Sequence, residues 1–466
     1  MYFGRPLSGI NFMYELTIFD LLSASLWILI IGIYSYFHYH YNIRERPYYK
    51  YYLYGLSAKM FGGICFALIY SFYYDYTGDT FVYYQDIQTL TDTFYSDPFV
   101  VLKILLNDAA IFDPDTHYIT ETLSFYRSNS AFYVVKIATP LNILAFNTYV
   151  GTTVLISYLS FLGVWKLFEL FIKYYPSLEK KLVIATLFIP SVIFWGSGIL
   201  KDSIVIGCMG YLLFAIDSLI IERKRIFRTF TLGLFCIVII LNIKAYVLFS
   251  LLPATAIWVF PTIKASIKNK AIKVFITPVI GALTIATMVG LIIYLSDASK
   301  RFSTDNVMET AKTYQNWHYL DGKTWVAGRG SSYSLGEYDE TFSGVLLKVP
   351  SAIVVTLFRP YPWEVHNAVI LLASIESLGV LLLTLIVFFG LGFFKVIKVL
   401  FDNPFILMCF VFSLFFAFAV GFTSYNFGAL VRYKIPCLPM FIGMLFMLEY
   451  EVRKYKIAES FKYKFV

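Results

Sequence analysis
Four short stretches of this chain put ionisable side chains at the ends of long apolar segments, where charge is costly unless it is used. The first runs from Asp75 to Tyr84. Gly78 permits a tight turn, Asp79 follows it, and Tyr73, Tyr74, Tyr76, Tyr83 and Tyr84 surround the two carboxylates. A carboxylate partly buried among such rings is able to take a proton from a hydroxyl. Asp79 is therefore the first candidate for a general base, with Asp75 and Asp86 behind it. The plainer alternative is a solvated helix end beside an interfacial aromatic belt. The second stretch, Phe194 to Ser203, carries Lys201 and Asp202 after a turn of glycine and serine. Lys suits a phosphate as a point charge, and Asp202 suits the role of its orienting group or of a second carboxylate. An ion pair that satisfies itself inside a helix bundle explains the same two residues equally well.

The third stretch, Arg359 to Asn367, brings Arg359, Trp363, Glu364 and His366 into one proline-stiffened run. Arg is suited to a bidentate grip on phosphate, Trp to stacking on a sugar ring, and Glu and His to moving protons. An anchor at headgroup depth explains the Trp and Arg but not all four. The fourth is Arg432, with Tyr433 and Lys434, just before the last apolar segment; Lys244 is a similar cation elsewhere. Snorkelling toward lipid headgroups is the alternative for these cations, and it is stronger for Lys244. Acids at one loop start and cations at three others match a lipid phosphate and a hydroxyl acceptor. No His, Cys and Asp spacing specifies zinc. A divalent cation held by Asp79 and a second acid is compatible with the residues, and the metal is left unknown.

These residues must be held by membrane helices. The chain has 466 residues, 59% apolar, 15% charged and 20% aromatic. Its mean hydropathy of +0.68 excludes an ordinary soluble domain. The fold class expected is an all-α polytopic integral membrane protein with about 11 transmembrane helices, each apolar run being long enough to span roughly 30 Å of hydrocarbon. The spans read near 17–37, 52–74, 148–171, 182–195, 199–221, 229–242, 245–262, 272–295, 368–394, 404–422 and 429–449. They form a single polytopic membrane domain over 1–466, with a first large periplasmic loop at 75–147 that carries surface helices and a second at 296–367. Apolar pieces at 131–146 and 343–358 contain Pro and Lys, and read as amphipathic or re-entrant helices on the outer face.

The net charge of +8 does not point to nucleic acid. Lys and Arg gather in the short loops, around 44–50, 173–181, 223–228, 264–273 and 395–398, and in the tail, while the long loops are acidic. By the positive-inside rule the N-terminus is outside and the C-terminus cytoplasmic. No cleavable leader is read, and the first apolar block reads as a signal anchor. The five cysteines, Cys65, Cys208, Cys236, Cys409 and Cys437, all lie in apolar segments and read as small packing residues.

Gly78-Asp79 with Tyr83-Tyr84, the run Gly198 to Ser203, and Arg432 to Pro436 together resemble the GT-C class of polytopic glycosyltransferases. The resemblance covers the architecture of most of the chain. It implies a lipid-phosphate sugar donor and a catalytic Asp in the first outer loop, here Asp79. The paired Asp-Glu of well-known members is missing, as is a soluble C-terminal domain. The layout is also similar to bacterial polysaccharide polymerases with two large outer loops, although the repeated Arg-to-Gly spacing of that family is not evident around Arg301 and Arg329. The expectation is a glycosyltransferase of the bacterial inner membrane that takes a polyprenyl-phosphate sugar donor and a glycan or lipid-linked acceptor. Asp79, Asp75 and Asp202 would be catalytic. Lys201, Arg359, Trp363, Glu364, His366, Arg432, Tyr83 and Tyr84 would bind substrate. The alternatives are a polymerase of lipid-linked repeat units and a lipid-linked glycan transporter. The transporter would show charges at mid-span depth.

Overall fold
The computed structural model describes residues 14–76, 78–224, 226–269, 278, 281–282, 286, 333–336, 342–365 and 367–464. Among them all regular structure is helical. In chain order the helices are α1 (Ile18–Asn42), α2 (Tyr52–Phe72), α3 (Asp79–Ser96), α4 (Pro98–Leu106), α5 (His117–Thr120), α6 (Asn129–Leu144), α7 (Tyr149–Tyr174), α8 (Glu179–Leu187) and α9 (Pro190–Trp195). Next come α10 (Lys201–Ile216), α11 (Ile226–Ser266), α12 (Phe342–Phe358), α13 (Ala368–Leu385), α14 (Phe393–Asp402), α15 (Pro404–Ser424), α16 (Phe427–Tyr433) and α17 (Cys437–Lys464).

Among the described residues, seven helices are long and apolar enough to cross a membrane, or eight when α16 and α17, bent by 62°, are taken as one crossing. The chain is a polytopic membrane protein. The number expected from the sequence, about 11, is not reached among the described residues, for three separate reasons. The expected span at 272–295 lies almost wholly outside those residues. The expected span at 182–195 is broken into α8 and α9 before Pro190, which cannot continue a helix. Finally, α11 is one helix of 41 residues with a non-helical residue, Lys244, at φ −147° and ψ 73°. Straight, it would be roughly 60 Å long. Yet Arg223, just before it, donates to the Ser266 hydroxyl at its end, 2.9 Å away. The helix therefore folds back at Lys244 into two antiparallel arms, which cover the segments read from the sequence as 229–242 and 245–262.

The break between α8 and α9 leaves backbone groups without partners inside the bundle. Charged side chains from neighbouring helices fill both ends. Glu376 of α13 accepts from the Ser191 amide at 2.8 Å, and Lys59 of α2 donates to the Val192 carbonyl at 2.7 Å. An acid at the N-terminal end of a helix and a base at its C-terminal end both suit the helix dipole. These two buried charges thus have a structural use at mid-span depth.

The two segments expected as outer-face helices differ from one another. Helix α6 covers most of the expected segment 131–146, ending at Leu144, and packs on α3, α7 and α11. Helix α12 does not lie flat. It packs against α15, where the Thr356 hydroxyl donates to the Ala417 carbonyl at 2.7 Å and Gly421 closes on the Ala352 carbonyl so tightly that a Cβ would overlap it. The turn after α12 lies alongside the middle of α13. The Arg359 carbonyl accepts from Ser377, about 13 Å along α13 from its start. Asn367 then regains the level of Tyr74 at the end of α2.

At the opposite end of the bundle, basic residues of the loops and helix ends meet acids, some on neighbouring helices and some one turn away on their own. Arg46 and Lys166 pair with Glu169, Lys50 with Glu179, Lys173 with Asp217 and Glu222, and Lys181 and Arg453 with Glu449.

Candidate functional site
Asp79 is the first residue of α3, and Gly78 supplies the turn that puts it there. Gly78 has φ +91°, and a Cβ would sit 3.0 Å from the Tyr70 ring. Only glycine meets both conditions at low cost. Asp202 lies in the first turn of α10, where the helix dipole favours a carboxylate, and is 1% exposed. The turn before it, Gly196 to Leu200, is entirely buried, and Gly198 lies so close to Phe66 of α2 that any side chain would overlap the ring. Lys244 sits at the reversal of α11. Arg432 lies near the end of α16, whose start is capped by the Asn426 side chain accepting from the Gly428 amide at 2.7 Å.

These four residues, distant in sequence, converge. The Arg432 Nη2 donates to Asp79 Oδ2 at 2.8 Å. Its Nε lies 3.6 Å from Asp202 Oδ2 and has no hydrogen-bond partner among the described residues. Lys244 Nζ bonds the other Asp202 oxygen, Oδ1. Tyr433 underlies both cations, with Lys244 Nζ 4.1 Å and the Arg432 guanidinium 5.1 Å from its ring centre. The quadrupole of that face favours a desolvated cation. Lys201 stands beside the group and donates to Ser130 of α6 at 2.9 Å. The arrangement has three cations and two carboxylates, a surplus of one positive charge. Asp79 is its open side, with its side chain 51% exposed against 14% for Arg432.

Burial by itself would raise the Asp79 carboxyl, but the charge and hydrogen bond of Arg432 outweigh that and hold it below the usual carboxylate range. It is an anion at neutral pH. Tyr83, buried beside Asp79 and Arg432, is pushed far up by burial and by the Asp79 charge, so its phenol is a hydrogen-bond group and not an acid.

The sequence candidates therefore divide. Asp79, Lys201, Asp202, Arg432 and Tyr83 come together. Asp75 does not join them: it is exposed, at φ 50°, and makes no side-chain hydrogen bond or ion pair among the described residues. Tyr84 points the other way, donating to the Asn147 carbonyl at 2.9 Å and packing on Tyr14 and Tyr149. Arg359 is already engaged. Its Nε donates to both Glu364 oxygens, at 3.0 and 3.1 Å, and its guanidinium lies over Phe427 and Tyr333. Arg359, expected to grip phosphate, and Glu364, expected to move protons, thus form a bidentate ion pair with one another at the turn after α12. Trp363 is 73% exposed and stacks on Tyr361 with centres 5.0 Å apart. His366 lies outside the described residues, as do Arg301 and Arg329. Asp86, set beside Asp79 by sequence, is a buried anchor: its two oxygens accept from the Ser124 and Phe125 amides at 2.8 Å each.

Two members of the cluster are under-read by sequence. Lys244 looks there like a snorkelling cation, yet it is buried and paired. A signal for this exists: a lone Lys deep between two apolar runs needs a partner. Tyr433 has no signal beyond its place next to Arg432. Lys434, expected as a second phosphate cation, is buried and donates to the Arg359 carbonyl and the Ser377 hydroxyl, at 3.0 and 2.7 Å. Among the described residues no three His, Cys, Asp or Glu side chains converge as metal ligands.

Comparison of the chain with protein-family models, with curated proteins and with solved structures gives no match.

Proposed function
We propose that the chain is a membrane glycosyltransferase that uses a polyprenyl-phosphate-linked sugar donor to build an envelope or exported polysaccharide at the outer face of the inner membrane. The observation that carries this reading is the Asp79–Arg432–Asp202–Lys244 network with Lys201 beside it, set at the end of the bundle that holds the acidic loop. The orphan Nε of Arg432 and the surplus positive charge favour an anionic guest. One surplus charge matches a phosphodiester, which carries one negative charge, better than a diphosphate. The bilayer supplies the isoprenoid's surroundings.

The chemistry rests on the same contacts. A donor phosphate that draws Arg432 to itself weakens the Arg432–Asp79 bond. Asp79 then loses the partner that kept it weakly basic, and its affinity for a proton rises. The acceptor hydroxyl attacks the anomeric carbon and gives its proton to Asp79. The bond from that carbon to the phosphate oxygen breaks, and the electron pair leaves with the lipid phosphate, where Arg432 and Lys201 stabilise it. Asp202, locked by Lys244, positions Arg432 and does not move protons.

Lys59 and Glu376 favour a second reading, a lipid-linked glycan transporter, because both lie in the interior of the bundle. Their use as end groups for α9 weighs against it. Glycan analysis of a deletion strain complemented with wild type, Asp79→Asn or Arg432→Ala, at matched protein levels, tests the proposal. Both variants are expected to leave the polysaccharide missing or short, with chain length distinguishing single addition from polymerisation. Full restoration by both removes the proposed site. Restoration by both, with failure of Lys59→Met or Glu376→Gln, moves transport ahead.

A further inference from the structure
Helix α16 has only seven residues, so its direction is set by what touches it. Both of its joints turn sharply. Tyr425 before it has φ 44°, and the chain after it bends by 62° into α17. Arg432 is its next-to-last residue and stands about 7.5 Å along the axis from Phe427, the first. The bond from Arg432 to Asp79 is 2.8 Å long. A contact stretched to about 3.6 Å is no longer a hydrogen bond, so a shift of less than 1 Å at this end of α16 is enough to break it.

One residue outside α16 touches both of its ends. At the start, the Arg359 guanidinium lies over the Phe427 ring, 5.1 Å from its centre. At the end, the Arg359 carbonyl accepts from Nζ of Lys434, the residue after Tyr433, at 3.0 Å. Each contact is itself fixed. Arg359 Nε donates to the two Glu364 oxygens at 3.0 and 3.1 Å, and Glu364 also accepts from the Tyr361 amide at 2.8 Å. A planar guanidinium is able to meet a carboxylate edge-on and a ring face-on at once, which an ammonium cannot do. Tyr333 closes the other side, its ring 5.2 Å from that of Phe427 and 5.9 Å from the guanidinium carbon. Its amide and hydroxyl donate to the Tyr425 and Gly421 carbonyls, at 3.1 and 2.9 Å. Lys434 is 1% exposed and is held a second time by Ser377 of α13, at 2.7 Å.

We propose that Arg359 is a positioning residue that clamps α16 at both ends and so holds Arg432 against Asp79 and Asp202. Glu364 locks the clamp, and Tyr333 ties the second outer loop into it. Arg432 is thus placed by the turn after α12 as well as by its own acid partners. This inference concerns the geometry of the cluster and does not depend on the function proposed above.

The test reads the field of Arg432 at position 79. In Asp79→Cys a thiol takes the place of the carboxylate. A thiol beside a guanidinium ionises at lower pH, and the thiolate is the form that is alkylated. The pH midpoint of alkylation by iodoacetamide is measured on the full chain in detergent, with the signal of the five native thiols of the parent subtracted. Adding Arg432→Ala removes the field and is expected to raise the midpoint by about one pH unit or more. Adding Arg359→Met or Glu364→Ala instead is expected to raise it by a large part of that amount. The two changes differ in charge, and this separates placement from a field acting at a distance. Loss of the Glu364 charge alone would lower the midpoint, whereas release of α16 raises it. Unchanged midpoints in both overturn the proposal, as does a rise with Arg359→Met accompanied by a fall with Glu364→Ala. If Arg359→Met does not fold, the sign of the shift in Glu364→Ala decides by itself.

Discussion
The two ends of this bundle use the same residue types for different purposes. At the loop-poor end, cations meet acids in pairs, and the cations keep more solvent, from 25% exposed at Lys166 and 35% at Lys173 to 64% at Arg453, although the acids Glu169 and Asp217 are buried. Where both partners are solvated, as in Lys50–Glu179, such a pair contributes little, about 0–1 kcal/mol. At the other end Lys244 and Asp202 are 6% and 1% exposed, and Arg432 is 14%. Desolvated charges cost several kcal/mol each unless partners are in place. The bundle therefore holds a costly, positively unbalanced network with buried cations where Asp79 opens to solvent, and pairs with partly solvated cations at the opposite end. Burial, not charge count, separates a candidate site from an anchoring belt.

The strongest way to break the contrast is Arg432→Ala. It strips Asp79 of its partner and the proposed donor phosphate of its main cation. Loss of transfer activity by roughly 10²–10³-fold or more is expected, the effect of removing a preorganised charge from a site of this kind. Initial rates in proteoliposomes measure it. Lys181→Ala, at the other end, should leave the rate unchanged.

Asp202→Asn comes next, read as stability. It leaves Lys244 buried without its counter-ion and should cost about 3–5 kcal/mol. Thermal unfolding in detergent measures this. Adding Lys244→Met to Asp202→Asn should recover a large part of the loss, because the orphaned charge goes with it. If the double variant is no more stable than the single, the two side chains are not a coupled pair.

Asp86→Asn is expected to cost about 1–3 kcal/mol. An amide accepts through one atom only, so one of the Ser124 and Phe125 amides is left facing a donor. Burial raises the Asp86 carboxyl to about 6, with the two amides opposing it. The folded state thus holds a proton that the unfolded chain has released between about pH 4 and 6. The contribution of Asp86 to stability falls as pH rises through that window and is constant above it. In Asp86→Asn this slope should vanish.

The smallest effect concerns pH and sharpens the role of Asp79. Its folded value is depressed, so the stability from its pair with Arg432 is present above the unfolded carboxylate pKa, about 3.9. It is lost as pH falls through the lower folded value. The acid limb of kcat/KM, which reports the free enzyme, should lie below that range. The acid limb of kcat should lie higher, because bound donor occupies Arg432. Coincident limbs would mean that Asp79 is not released on binding.

Helical membrane architecture is legible in the sequence, because span length and apolar runs are set directly by bilayer thickness. So are Asp79, Lys201, Asp202 and Arg432, since an isolated charge beside an apolar segment stands out. Local sequence does not contain pairing. Arg359 and Glu364 have the look of reactive groups, but in the fold they are bonded to one another. Lys244 has the look of an idle cation, but it meets Asp202 from another helix. Lys59 carries no local signal, since its acceptor, the Val192 carbonyl, is free only because the short helix α9 ends at Trp195.

The central claim is that Arg432 and Asp79 form an anion-exchange pair for a lipid-linked phosphate. Its most direct test is the binding of a polyprenyl monophosphate to the purified full chain in nanodiscs, compared among wild type, Arg432→Ala and Asp79→Asn. The account predicts loss of binding in Arg432→Ala and equal or tighter binding in Asp79→Asn, since that change removes the competitor for the guanidinium. Wild-type affinity in Arg432→Ala, or a loss in Asp79→Asn as large as that of Arg432→Ala, would contradict it.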